Sequence, residues 1–150
     1  MDIFGSTQTL SLGGKKYRLV ILDDYSRYTW VFILARKSET FEYFSKFAKM
    51  VQNEKGYTIS SIKSNHGREF ENQNFAYFCD ENGIQHTFSS SYTLEQNGVV
   101  ERKNRTLQKI ARTLLFENKT PTHSWVEAIS TACYILNRIF LRQILEKNPL

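Results

Sequence analysis

The run Gln-Asn-Gly-Val-Val-Glu-Arg-Lys-Asn-Arg at residues 96–105, continuing as a helix to about residue 119, limits the possible folds more than any other stretch. At about 100° of turn per residue, Val100, Leu107, Ile110, Ala111, Leu114 and Leu115 share one stripe. Glu101, Arg105, Gln108 and Arg112 line an adjoining edge. Such a helix must bury its stripe against another layer and keep a polar rim. A glutamate among arginines in the first turn, just after Gly98, can hold a metal ion while the cations receive phosphates. The plainer reading is a solvated i,i+4 pair worth a few tenths of a kcal/mol, so the rest of the chain decides.

Residues 1–4, 17–22 (YRLVIL) and 28–34 (YTWVFIL) read as strands, because β-branched and aromatic residues dominate them and short polar turns separate them. Three sequential strands with short connections predict an antiparallel meander. Phe41, Phe44, Phe47, Ala48 and Val51 recur at helical spacing over residues 38–54, with acids early, lysines later and Gly56 beyond the end. A short strand at 59–64 runs into a turn at Asn65-His66-Gly67. Asn72 can cap a helix carrying Phe75, Phe78 and Cys79 and closed by Asn82-Gly83, and residues 85–88 form a last strand. The polar stretch 89–97 reads as a loop feeding the helix at Gly98. Residues 122–137 form the final strong helix, with Trp125, Ala128, Ile129, Ala132, Cys133, Ile135 and Leu136 mostly inward, and residues 138–150 continue apolar and basic. A meander followed by alternating strands and helices predicts an α/β fold, a mixed five-stranded sheet flanked by helices.

The 150 residues suffice for one domain with a real core. Lysine and arginine outnumber the acids by 20 to 15, a net charge of +5 that suits a polyanionic partner without demanding one. Cys79 and Cys133 each sit within an apolar helical pattern and read as buried free thiols, which suits a reducing compartment. No apolar run is long enough to span a membrane, and residues 1–5 lack the layout of a secretory signal. His66, His86 and His123 do not have zinc-motif spacing, and neither a phosphate-binding Gly-rich loop nor a GxSxG elbow occurs.

Three positions can converge for chemistry: Asp2 in the first strand, the residue closing the fourth strand, and Glu101 at the start of a helix. Carboxylates from strand ends and a helix start can hold two divalent ions about 4 Å apart for phosphoryl transfer. The middle position is Asn65, a neutral and weak ligand. Asp23 and Asp24 read as turn residues, and Glu69 and Glu71 as the solvated approach to a helix.

The motifs MDIFG, SLGGKKY, DDYSRYTWV, KSNHGREFEN, FCDENGI and QNGVVERKNRTLQKIAR, in this order over essentially the whole chain, resemble the catalytic core of copia-type retrotransposon integrases of the plant kind. The resemblance implies a ribonuclease H-like fold and a catalytic Asp, Asp, Glu triad that falls on Asp2, Asn65 and Glu101. It implies a polynucleotidyl transferase that trims element DNA ends and joins them to target DNA. Magnesium or manganese would be held by Asp2 and Glu101, weakly by Asn65. Arg102, Lys103, Arg105, Lys109 and Arg112 would contact DNA, and Asn97 and Gly98 match the hinge of the active-site loop. Further implications are a homo-oligomer, with the apolar helices near Trp125 and Ile139 burying a partner surface, no small-molecule substrate, and an intracellular, nuclear location.

The chain departs from the family at Asn65, at Ser91 and Leu94 where prolines are usual, and at Glu95 in place of glutamine. Residues 1–150 then correspond to the integrase catalytic core, truncated at the first strand and lacking the zinc-binding and C-terminal regions. That combination fits a decayed genomic copy or a fragment of a polyprotein. A non-catalytic DNA-binding or assembly module is the alternative function.

Overall fold

A computed structural model describes residues 1–5, 14–56, 58–89, 98–121 and 124–147. Three antiparallel strands come first: β1 (Asp2–Phe4), β2 (Tyr17–Leu22) and β3 (Thr29–Leu34), in the spatial order β1-β2-β3. The β2–β3 turn is closed by Asp23, whose backbone N–H donates to the Tyr28 carbonyl and whose carboxylate accepts from the Ser26 N–H. These aspartates are the turn residues the sequence suggested.

Period-two alternation divides the side chains of this sheet between its faces. Ile3, Leu19, Ile21, Trp30, Phe32 and Leu34 face α1 (Thr40–Lys55), whose Phe44, Phe47, Ala48 and Val51 complete a core that also takes in Phe70 and Phe75. Val31 and Ile33 face the other way, onto α3 (Gly98–Glu117) and α4 (Trp125–Lys147), where Leu107 and Ala111 meet Ala128, Ile129, Ala132 and Leu136. Asp2, Phe4, Arg18 and Val20 occupy that second face by register, since Asp2 pairs with Val20 and Phe4 with Arg18. The stripe read on α3 therefore does bury itself, against a helix and a sheet together.

β4 (Ser61–Ser64) and β5 (Gln85–Phe88) pair in parallel, joined by α2 (Gln73–Asn82), and pack Ile62 and Phe88 against the α1 core. The Asn72 side chain accepts from the Phe75 N–H at 3.1 Å, and Gly83 takes the left-handed conformation, φ 65°, that ends α2. Both caps lie where the sequence put them. The single five-stranded sheet does not hold: the described strands form one sheet of three and another of two. The Met1 ammonium, donating to the Lys63 carbonyl at 2.8 Å, links β1 to β4. Because β1 is only three residues long, this meeting at its first end does not amount to a ladder.

The last helix exceeds its expected span, running to Lys147 rather than ending near residue 137. Asn137 is an anchor within it, not an end: its side-chain carbonyl accepts from the Thr29 N–H (2.9 Å) and its amide donates to the Thr29 carbonyl (2.8 Å). Trp125 is buried among the residues of its own core, and Ile139 is exposed. Cys79 and Cys133 are both buried and free.

Candidate active site

The period-two pleat aims Asp2 at the α3 face, and the Met1–Lys63 bond sets β1 beside β4. Asn65, the first residue after β4, thereby reaches Asp2: its amide Nδ2 donates to Asp2 Oδ1 at 2.7 Å. Asp2 Oδ1 also accepts from the Ile3 N–H at 2.8 Å. The Asn65 carbonyl Oδ1 accepts from the Gly67 N–H at 2.7 Å, which decides the orientation of the amide. A flip would set NH2 against N–H and oxygen against carboxylate, so the –NH2 must face Asp2.

Behind this pair the turn is tied down on several sides. The Gly67 carbonyl accepts from the Phe70 and Glu71 N–H groups, and Ser64, fully buried, bonds His86 Nε2 at 2.7 Å. His66 Nδ1 lies 3.0 Å from Glu71 Oε2. The Glu69 carboxylate folds back over Gly67, so a Cβ there would sit 2.5 Å from it and displace that side chain.

Asp2 is only 8% exposed, and burial raises its pKa above 3.8, opposed by the Ile3 N–H and the Met1 ammonium and reinforced by the negative charges of Glu101 and Glu69. Glu101, exposed in the first turn of α3, is thus near enough to be felt by Asp2. The same is true of Glu69, which the sequence reading assigned to solvent. Between pH 3.8 and its raised value, folded Asp2 holds more proton than the unfolded chain does, so stability falls as pH rises through that window and the penalty persists at neutral pH. Asp2→Asn keeps an oxygen acceptor and removes the charge. Its melting temperature is expected to exceed the parent's at pH 7, with the difference closing as pH falls below about 4; a difference that grew in acid would refute the assignment.

The donor set fits a hard cation in part. The carboxylates of Asp2 and Glu101 are suitable oxygen ligands, but Asn65 turns an N–H donor toward Asp2 and spends its oxygen on Gly67. Among the described residues, no three His, Cys, Asp or Glu side chains are grouped to hold a metal. The residues present therefore do not assemble the two-ion arrangement.

Of the expected DNA contacts, Arg102, Arg105, Lys109 and Arg112 are exposed on α3. Lys103 is the correction: it is 7% exposed, and burial together with the positive charge of Arg27 lowers its pKa to about 8. It sits three residues after Val100 and four before Leu107, so the apolar period itself carried it inward. Gly98 is the first residue of α3, where an added Cβ would come 3.2 Å from the Arg102 guanidinium. Asn97, with Ser91, Leu94 and Glu95, lies outside the described residues. Sequence reasoning missed two site neighbours, Arg18 and Asn104, whose buried side chains meet at 2.7 Å. Asn104 was findable, being three residues after Glu101 and so on its side of the helix.

Residues 1–93 match the integrase core domain family. The Pol polyprotein of transposon TNT 1-94 from Nicotiana tabacum is 39% identical over 137 residues, covering 91% of this chain and 10% of the polyprotein. That of transposon RE2 from Arabidopsis thaliana is 33% identical over 134 residues, covering 89% and 9%. The chain thus spans about a tenth of these relatives. The fold matches that of the HTLV-2 integrase catalytic core domain, solved in complex with magnesium as a trimeric form, at TM-score 0.62 and 22% identity over 89% of this chain and 82% of that one. It also matches a chain in the simian T-cell lymphotropic virus intasome complex with the PP2A regulatory subunit B56 gamma, at TM-score 0.66 and 21% identity over 89% and 46%.

Proposed function

The chain belongs to the integrase core domain family, with plant copia-type transposon relatives, and from that premise we propose that it engages DNA as an integrase core whose joining chemistry is disabled at Asn65. One observation carries this reading. Asn65 donates to Asp2 where β1 and β4 meet, and the charge of Glu101 acts on Asp2, so a neutral amide hydrogen bond stands where the resemblance expects a second carboxylate.

Asp2 and Glu101 keep two of the carboxylates such a core would use, but with Asn65 the residues present do not complete a site for the divalent ions that would activate an attacking oxygen and stabilise the leaving one. Asn65 withdraws one charge and closes the space with a hydrogen bond. Arg102, Arg105, Lys109 and Arg112, exposed along about 15 Å of α3, would bind the phosphate backbone and position DNA with little sequence information. The same Asn65–Asp2 bond favours the second reading, a DNA-binding or assembly module with no residual chemistry. Oligomerisation is proposed by likeness to the trimeric and intasome neighbours.

DNA affinity measured by fluorescence anisotropy across a salt series tests the shared part. The chain is expected to bind with a log–log salt slope of about −0.9 per phosphate contact, unaffected by EDTA, and the double variant Arg105→Gln/Lys109→Gln is expected to flatten that slope by about two contacts. Salt-independent or absent binding would reject both readings.

A further inference from the structure

We propose that the outer edge of β5, with the groove between it and α2, takes an extended segment of a partner protein rich in lysine or arginine, bound as an added strand. The surface uses no residue of α3 and does not depend on the DNA reading above.

β5 has β4 on one side and, among the described residues, no strand on the other. The Gln85 N–H donates to the Ser60 carbonyl at 2.9 Å and the Ser89 N–H to the Ser64 carbonyl at 2.8 Å. Alternate residues of a parallel ladder turn their backbone groups the same way, so Gln85, Thr87 and Ser89 face β4 while the N–H and C=O groups of His86 and Phe88 face outward. Among the described residues, no hydrogen bond uses those two outward N–H groups. Proteins commonly blunt such an edge with lysine, proline or a bulge. The strand QHTF has neither residue, and it pairs with β4 in unbroken register. Its edge is left able to pair.

Beside that edge lies a groove of about 430 Å³ whose other wall is α2. Phe70, Cys79 and Ile84, all buried, line its inner side, while Asp80 and Glu71 are exposed. Asp80 enters no ion pair among the described residues, and Glu71 has His66 at 3.0 Å. The charge here opposes that of the whole chain. Residues 69–89 contain Glu69, Glu71, Asp80 and Glu81 and neither lysine nor arginine, although the net charge is +5. Tyr77, 69% exposed, precedes Asp80 by three residues and offers a ring beside it on α2. A strand added to β5 directs alternate side chains toward this groove, where the aliphatic stem of a lysine or arginine covers the apolar side and its charge meets Asp80. The same acids repel nucleic acid, and a two-fold pairing of β5 edges from two copies would bring acids against acids. Charge therefore selects a basic peptide.

The test uses the full chain and a fluorescein-labelled peptide of alternating lysine and valine. Its controls are the same peptide with glutamate for lysine, and an N-methylated form that keeps the charge but cannot donate to the edge. The basic peptide is expected to bind in fluorescence anisotropy, and both controls at least about tenfold more weakly. Asp80→Asn, which alters an exposed side chain, is expected to weaken binding about fivefold. Ala76→Trp, which fills the groove from an exposed position of α2, should weaken it at least as much. In amide hydrogen exchange, the peptide is expected to slow His86 and Phe88 and to leave Thr87, already bonded to β4, unchanged. Absent binding, equal binding of either control, or unaltered exchange at His86 and Phe88 would each overturn the proposal. So would protection of those two amides without peptide that is lost on dilution, which would assign the edge to a second copy. If Ala76→Trp does not fold, Asp80→Asn and the exchange pattern decide.

Discussion

Asn65→Asp is expected to raise magnesium- or manganese-dependent strand joining by about three orders of magnitude, which corresponds to roughly 4 kcal/mol of transition-state stabilisation. The geometry makes this more than an exchange of one ligand. With aspartate at position 65, one oxygen can keep the 2.7 Å bond from the Gly67 N–H, and the other must face Asp2 Oδ1, where Asn65 now donates at 2.7 Å. Two carboxylates so placed repel each other and raise each other's pKa unless a cation lies between them. The variant should therefore melt below the parent in EDTA and show a larger manganese-induced rise in melting temperature, both readable without any DNA. Adding Glu101→Gln to it should abolish the gain in joining. A folded Asn65→Asp variant that is stabilised by manganese yet joins nothing would leave the binding-module reading standing and end the disabled-enzyme one.

The second large effect concerns what holds the position of Asn65. Phe75 is fully buried in the first turn of α2 and meets four rings, Phe41 at 5.3 Å, Phe44 at 5.2 Å, Phe70 at 5.9 Å and His86 at 5.8 Å. Those rings belong to α1, β5 and the turn that follows Asn65. Phe75→Ala should cost about 3–5 kcal/mol, a large share of the 5–15 kcal/mol that ordinarily separates folded from unfolded domains. At about 2–4 °C per kcal/mol for a chain of this size, the melting temperature should drop by roughly 10 °C, as calorimetry would record. Phe116→Ala, at a site 85% exposed, should change it little. A drop of less than about 2 °C for Phe75→Ala would mean that this helix contributes little to the core.

The two effects are connected through the turn at residues 65–71. The Phe70 side chain lies in the same core as Phe75, and its N–H bonds to the Gly67 carbonyl while the Gly67 N–H holds Asn65. Loosening Phe75 should therefore reach the Asn65–Asp2 pair without touching it. Packing and site geometry meet in that short segment.

Local patterns in the sequence determined the elements whose causes are themselves local. The β-branched run 17–22, the Asn72 cap with its Gly83 stop, and the 3.6-residue stripe of Leu107 and Ala111 each encode their own conformation through sterics, backbone hydrogen bonding or amphipathic spacing, and each is present. Asp2 and Glu101 could be named as candidates because strand ends and helix starts are where side chains converge. Tertiary structure decided what depends on residues far apart in the chain. The Met1–Lys63 contact and the core shared by Ile3 and Ile62 set β1 beside β4, and that juxtaposition turns Asn65 from an absent ligand into the hydrogen-bond partner of Asp2. Lys103 became interior, and Arg18 acquired Asn104, 86 positions away, because α3 lies across the sheet face that carries Asp2, a packing relation without any local signature. Charge shows in a sequence as composition; its burial and its neighbours follow from which surfaces are pressed together when the apolar faces leave water.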